Sequence, residues 1–277
     1  MELRDTRLKK LNLIIPTAIL FLIYVPVLLD LVENWYMDAN YSHGFLIPII
    51  SGYLIWRKRE SLFNTKTSSS TFGLWIVALA MLVFIIGNAA SEYFTVRLSL
   101  VLAIFGVVLY MLGEEIVKKS WFEIAFLLFM IPIPYVVYFS ATFPMQILAS
   151  KVTVVLLDIL GMPVIRQGNI IHLPNQSLEV VEACSGLRSL VSLLAMGAIF
   201  AYATQKRFTA KIILFLSTIP IAILGNVFRV FITSLLVYTA DVNVTDEPLH
   251  SIMGALVFVI ALILLFIFGG ILKRVFR

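Results

Sequence analysis

Residues 251–272 read SIMGALVFVIALILLFIFGGIL and are followed at once by Lys273 and Arg274. At about 1.5 Å rise per residue such a run reaches about 33 Å, enough to cross a hydrocarbon core of about 30 Å. An uncharged stretch of this length that stops at two cations is a membrane-spanning helix. Working outward from it, apolar windows recur over approximately residues 11–31, 43–56, 72–90, 98–112, 121–139, 183–204 and 211–238, with a weaker amphipathic stretch at 143–161. Composition agrees, with 61% hydrophobic and 13% charged residues and a mean hydropathy of +1.00. Soluble domains carry about 45–50% apolar and about 25% charged residues, so a soluble globular domain is excluded. Disordered, collagenous and coiled-coil chains need high charge, periodic glycine or a heptad seam, and are excluded with it. Lipid offers no partners to free backbone groups, and the windows lack the alternation of barrel strands, so the spans are helices. The expected fold is an all-α polytopic membrane protein with about eight transmembrane helices, forming one domain over 1–277.

The basic residues orient that bundle. With the N-terminus cytoplasmic and eight windows crossing in turn, the inner side holds Arg4, Arg7, Lys9, Lys10, Arg57, Lys58, Arg59, Lys66, Lys118, Lys119, Lys206, Arg207, Lys211, Lys273, Arg274 and Arg277, which is 16 of the 21 Lys and Arg. Arg97, Lys151, Arg166, Arg188 and Arg229 remain outside with most of the acids. The positive-inside rule is then met at every loop, and both termini are cytoplasmic. The net charge of +5 is a topology signal and implies no nucleic-acid partner. The first window follows a basic segment, but it is too long for a signal peptide and lacks a small-residue cleavage site, so it reads as a retained helix. A ninth crossing at 143–161 would carry Lys206, Arg207 and Lys211 outside. That segment, with Lys151 and Asp158 on one helical face, is therefore expected at the outer surface, before the helix that bears the cysteine. Windows 43–56 and 98–112 are shorter than a full span.

The long outer loop, residues 162–181, has turn signals at Gln167-Gly168-Asn169 and at Pro174-Asn175 between short β-branched runs. It is expected to form a small hairpin-like cap, in an outer-face region of about residues 140–181. There is no internal repeat, and residues 67–71 are a short cytoplasmic Ser/Thr linker.

The informative side chains are the polar ones that this topology puts in or beside the membrane on the outer side. Cys184, the single cysteine, lies in Glu182-Ala183-Cys184-Ser185-Gly186-Leu187-Arg188, so no internal disulfide can form. In the first turn of a helix a thiol faces unpaired N–H groups and the positive dipole end, which favour thiolate; the alternative is a small buried hydrophobe. Arg229 lies eighteen residues beyond Lys211, about 27 Å along a helix and close to the depth of Cys184. Asn226 is three residues earlier on the same face. A charge within a span marks function, unless Arg229 snorkels to the interface or pairs with Asp158 or Glu182. His250 opens the last window, where neutral imidazole can accept a thiol proton and return it to a leaving amine; a helix-end cap is the alternative. A nucleophile, a base and a fixed cation on three consecutive helices suit covalent acyl transfer. His43 is a candidate second imidazole, whereas His172 in the cap reads as structural. Glu182 and Arg188 cannot share one helical face but can reach the site from opposite ends. Neither zinc-ligand spacing nor His-Glu-x-x-His, Gly-x-Ser-x-Gly, Walker or dinucleotide fingerprints occur, so no metal or cofactor is expected.

Gly168-Asn169-Ile170-Ile171, Leu173-Pro174-Asn175, Leu178 through Arg188, Asn226-x-x-Arg229 and His250 together resemble the exosortase/archaeosortase family. Tyr41-Ser42-His43-Gly44-Phe45 and Ile131-Pro132-Ile133-Pro134 also match, so the resemblance spans most of the chain. It implies a multi-spanning, sortase-like cysteine peptidase or transpeptidase. Cys184 would be the nucleophile, Arg229 the oxyanion or substrate-positioning cation and His250 the general acid/base. Its partners would be exported proteins with a C-terminal tail of PEP-CTERM type: a short Pro-Glu-Pro motif, a transmembrane helix and a basic end. In the bacterial branch, such proteins belong to exopolysaccharide-associated surface systems of the inner membrane. An archaeosortase acting on an archaeal tail, an intramembrane protease, a polysaccharide transporter and a noncatalytic assembly scaffold are the alternatives.

Overall fold

A computed structural model describes residues 2–174, 176–180, 187–240 and 249–276. The chain divides into two compact units, Met1–Ile133 and Pro134–Arg277. Among the described residues, six helices are long and apolar enough to cross a membrane. This is the all-α polytopic membrane architecture that the hydropathy windows require.

The first unit contains α1 (Glu2–Met37), a 3-10 turn (Ser42–Phe45), α2 (Leu46–Arg57), α3 (Arg59–Phe63), α4 (Thr71–Ala89), α5 (Tyr93–Leu112), α6 (Glu114–Phe126) and a second 3-10 turn (Leu127–Met130). Helices α4 and α5 form a tight hairpin. Gly73, Ala80 and Gly87 are buried at intervals of seven residues, on one face of α4, and Ala103 and Gly106 are buried on α5. A Cβ on Gly106 would stand 2.9 Å from the Val77 backbone nitrogen, and one on Gly73 would collide with the Tyr110 backbone. In lipid, where apolar burial between helices gains little, such close backbone approach is the main source of attraction.

Helix α5 begins at Tyr93, earlier than window 98–112, and so reaches the length of a full span. The hydropathy window stops at Arg97, but that charge is neutralised in the fold. The Arg97 guanidinium donates to Asp30 Oδ2 of α1 through Nε at 2.9 Å and Nη2 at 2.8 Å. Elsewhere in the unit, Lys58 pairs with the fully buried Glu123 at 2.8 Å, and Ser51 donates to the Glu123 carbonyl.

The windows at 121–139 and 143–161 are divided differently in the structure. Window 121–139 is not one helix: α6 ends at Phe126, the chain turns, and Ile131 is extended at φ −89°, ψ 120°. Proline disfavours the helical region for the residue before it, and Pro132 and Pro134 impose that restriction twice within three residues. The chain resumes as α7 (Tyr135–Ile159), a helix of 25 residues that takes in most of the stretch expected to lie at the surface. By length and composition α7 could span a membrane. Lys151 and Asp158 are both exposed, as their shared face implies, while Thr142, Gln146, Ala149, Ser150, Thr153 and Leu157 form the buried side.

The second unit continues with β1 (Ile165–Gln167), β2 (Ile170–His172), β3 (Ser177–Glu179), α8 (Leu187–Thr204), α9 (Phe208–Ala240) and α10 (Leu249–Val275). The expected hairpin cap is a three-stranded antiparallel sheet in the order β1-β2-β3, with Gln167 opposite Ile170 and His172 opposite Ser177. Its first turn falls at Gly168, which takes φ +62°, a left-handed conformation that glycine adopts without penalty. At 33 residues α9 is about 50 Å long, well beyond a hydrocarbon core. Its C-terminal third carries the sheet and α7: Val230 and Val237 share a core with Ala149, Leu157, Ile171, Leu173 and Val180. Its N-terminal two thirds pack with α8 and α10 around Leu193, Ala201, Leu214, Ile221, Ala261 and Leu265.

Candidate active site

Helix α9 presents Arg229 towards α10. A Cβ placed on Gly254 would lie 3.8 Å from Arg229 Nη2 and 3.9 Å from Cζ, so the guanidinium covers this glycine face to face. His250 precedes Gly254 by four residues in α10, and residues one turn apart share a helix face. The backbone of α10 therefore sets the His250 position on the face that the Arg229 guanidinium covers. Arg229 itself is half-buried, and a Cβ placed on Gly225, one turn before it, would stand 3.1 Å from Val257 Cγ1 of α10. Two small residues on α9 and α10 thus let the helices approach where the cation lies between them.

Asn226 lies one turn before Arg229 and is only 3% exposed, and neither its Nδ2 nor its Oδ1 has a hydrogen-bond partner among the described residues. Two further buried hydroxyls of the same unit, Thr153 Oγ1 and Ser234 Oγ, are also unsatisfied. The fully buried Ser150, by contrast, donates to the Gly168 carbonyl at 3.0 Å and ties α7 to the β1–β2 turn.

Glu182 and Cys184, and with them the expectation of a thiol in a first helical turn, lie outside the described residues. Arg188 is in the first turn of α8 and His250 in the first turn of α10, but both side chains also fall outside them.

His43 belongs to the first unit, in the 3-10 turn, with its ring held against the backbone of Asn40 and Phe129. Burial pushes its imidazole below the ordinary value and favours the neutral form. The motif around it has a packing explanation: Trp35 donates its indole N–H to the Met130 carbonyl at 2.8 Å and lies so close to Gly44 that any Cβ there would collide with the ring. Tyr41 donates to the Ile133 carbonyl. The two motif stretches around Tyr41 and Ile131 therefore meet within one unit, where they fasten the C-terminal end of α1 to the break after α6. His172 lies on β2, with Nδ1 2.7 Å from Ser177 Oγ across the β2–β3 pair.

The first unit also holds a cavity of about 330 Å³ lined by Val27, Asp30, Asn88, Glu92 and Tyr93 among others. Its acids already have partners. Asp30 holds Arg97, and Glu92 caps α5 by accepting from the Phe94 and Thr95 backbone N–H groups at 3.2 and 2.6 Å. The hydropathy reading missed the Arg229–Gly254 contact and the unpartnered amide. For the first, the i,i+4 spacing of His250 and Gly254 was a usable signal; for the second there was none beyond a polar residue in an apolar helix.

Comparison with curated proteins and with solved structures finds no match. A family model describing transmembrane exosortases matches residues 35–267, from the end of α1 into α10, and the chain therefore belongs to the transmembrane exosortase family.

Proposed function

We propose that this member of a protein-sorting membrane family is a cysteine transpeptidase or protease that removes the C-terminal sorting tail of exported proteins. The tail, of Pro-Glu-Pro type with an apolar helix and a basic end, docks among the spans with its basic end cytoplasmic. Its motif is then presented at the outer face of the cell (inner) membrane. The observation that carries this reading is the Arg229 guanidinium lying over Gly254, one turn after His250, in a chain of this family.

The Cys184 thiolate attacks the scissile carbonyl, and negative charge develops on its oxygen, where Arg229 stabilises it. Collapse breaks the C–N bond, and the leaving amine takes a proton from the His250 imidazolium, leaving a thioester on Cys184. Water or an amine then gives its proton to His250 and attacks the thioester carbonyl, and the thiolate departs. Glu182, Arg188 and Asn226 support substrate binding or geometry around these steps.

Replacing Cys184 with Ala or Ser is expected to abolish tail processing of a co-expressed substrate, followed by the mass of the mature protein. Unimpaired processing by either variant sinks the assignment and favours a transporter or scaffold. Labelling of Cys184 in intact cells by a membrane-impermeant thiol reagent tests its placement on the outer face.

A further inference from the structure

We infer that Asn226 is a substrate-positioning residue, whose side-chain amide holds the peptide backbone of the tail beside the scissile bond. The inference rests on the peptide-cleaving reading above. It starts from an inconsistency in how this chain treats its amides. Asn34 donates to the Asp30 carbonyl, Asn88 to the Phe84 carbonyl, Asn169 to the Val180 carbonyl and Gln205 to the Gly269 carbonyl. Asn34, Asn88 and Asn169 are more exposed than Asn226, so water could serve them if the protein did not. Asn226, at 3% exposure, has no hydrogen-bond partner for its two polar atoms among the described residues, and is shielded from open water.

A buried amide left without partners costs more than the leucine that an apolar helix would accept there. An amide presents N–H donors and a carbonyl acceptor side by side, which is the complement of one peptide unit's C=O and N–H. The neighbourhood points to the same ligand. Residues three apart on a helix have Cβ atoms about 5–6 Å apart, and an extended peptide rises about 3.3 Å per residue. A peptide whose scissile carbonyl faces Arg229 would therefore bring a peptide unit about two residues away opposite Asn226. Such a contact reads backbone and not side chain. It accounts for an uncharged amide at this position, and it would grip any tail that lies extended across α9.

The test uses the full-length chain in lipid nanodiscs and a synthetic peptide with a Pro-Glu-Pro motif, an apolar helix and a basic end. Asn226→Leu and the near-isosteric Asn226→Asp are compared with the parent chain in thermal midpoint, KM and kcat. The expected result for Asn226→Leu is an unchanged or higher midpoint with KM raised roughly tenfold, as loss of two hydrogen bonds implies, and kcat within about twofold. An amide with a purely structural role gives the opposite pattern, a lower midpoint with KM unchanged, and that result overturns the proposal. Peptide affinity is measured in parallel in Cys184→Ala and in Cys184→Ala/Asn226→Leu by fluorescence of a labelled peptide. Equal affinity in the two overturns the backbone clamp even if Cys184→Ala has abolished cleavage. Weaker binding in the double variant supports the clamp even if Cys184 proves dispensable, so the two readings fail separately.

Discussion

Arg97 and Arg229 are both arginines within long apolar helices, yet the two units surround them differently. Arg97, only 6% exposed, directs two N–H groups at one carboxylate oxygen of Asp30 and lies 5.8 Å above the Tyr93 ring. Arg229 is half-buried, and its guanidinium lies flat over a glycine. The surroundings follow the same division. Around Arg97, Asn34 donates to Asp30, and Tyr24 and Ser99 bond each other at 2.8 Å. In the second unit Asn226, Thr153 and Ser234 are buried with unsatisfied polar atoms. Buried polar groups that satisfy one another hold a fold together, whereas unsatisfied ones persist only where something else maintains them. The paired polar groups around Arg97 read as scaffold, and the unpartnered amide of Asn226, one turn from Arg229, reads as a place for a ligand.

The largest effect that would sharpen this contrast is expected from Arg97→Ala. It leaves Asp30 without its cation, a loss that costs about 3–5 kcal/mol for a fully buried pair. The Asp30 side chain is 36% exposed, so solvent screening lowers the expected destabilisation to about 2 kcal/mol, read as a lower thermal midpoint in detergent. The double change Asp30→Leu/Arg97→Met should recover most of that loss; failure to recover would mean that the pair does more than hold α1 to α5.

Glu92→Ala removes the cap of α5 and should cost about 1 kcal/mol. A hydrogen bond from the Thr95 side chain, followed by the capping N–H groups of Thr95 and Phe94, holds the Glu92 carboxyl below its ordinary value of 4.5, so the sign of the pH dependence follows. The stabilisation is fully present above about 4.5 and is lost as pH falls through the lower folded-state value. Midpoints measured from pH 6 downward should therefore converge for the parent chain and Glu92→Gln; parallel curves would show that the cap is not the titrating group.

The smallest effect is expected at Gly254. The methyl group that Gly254→Ala adds would meet Arg229 only at ordinary contact distance, 3.8 Å, so the gain in helix propensity should stabilise α10 by about 0.5–1 kcal/mol. Gly254→Leu has no such room, and it should reduce tail processing without unfolding the first unit. If the leucine variant processes its substrate normally, the Arg229–Gly254 contact has no part in the reaction.

Much of the membrane architecture was legible one window at a time. Windows 72–90, 211–238 and 251–272 became α4, α9 and α10 because a long uncharged run has only one way to satisfy its backbone in lipid. The cap was legible because Gly168 and Pro174 act on their own local dihedrals. The misreadings have local causes as well. Averaging hydropathy over 121–139 hid Pro132 and Pro134, whose effect is steric and carries no hydropathy signal. Arg97 cut short the window for α5 because its partner Asp30 lies 67 positions away. At the site, Arg229 and His250 could be placed at one face by counting helical turns, while the glycine beneath the guanidinium and the unpartnered Asn226 could not.

By itself the sequence determined the fold class, the polar residue types set among its apolar helices and their order along the chain, because burial in lipid and helical periodicity act residue by residue. Only the tertiary structure decided that Arg97 pairs with Asp30 and that Arg229 faces α10, and which of the described asparagines is left without a partner among the described residues. Those distinctions depend on side chains that meet from distant parts of the chain, and no single helix contains the information to make them.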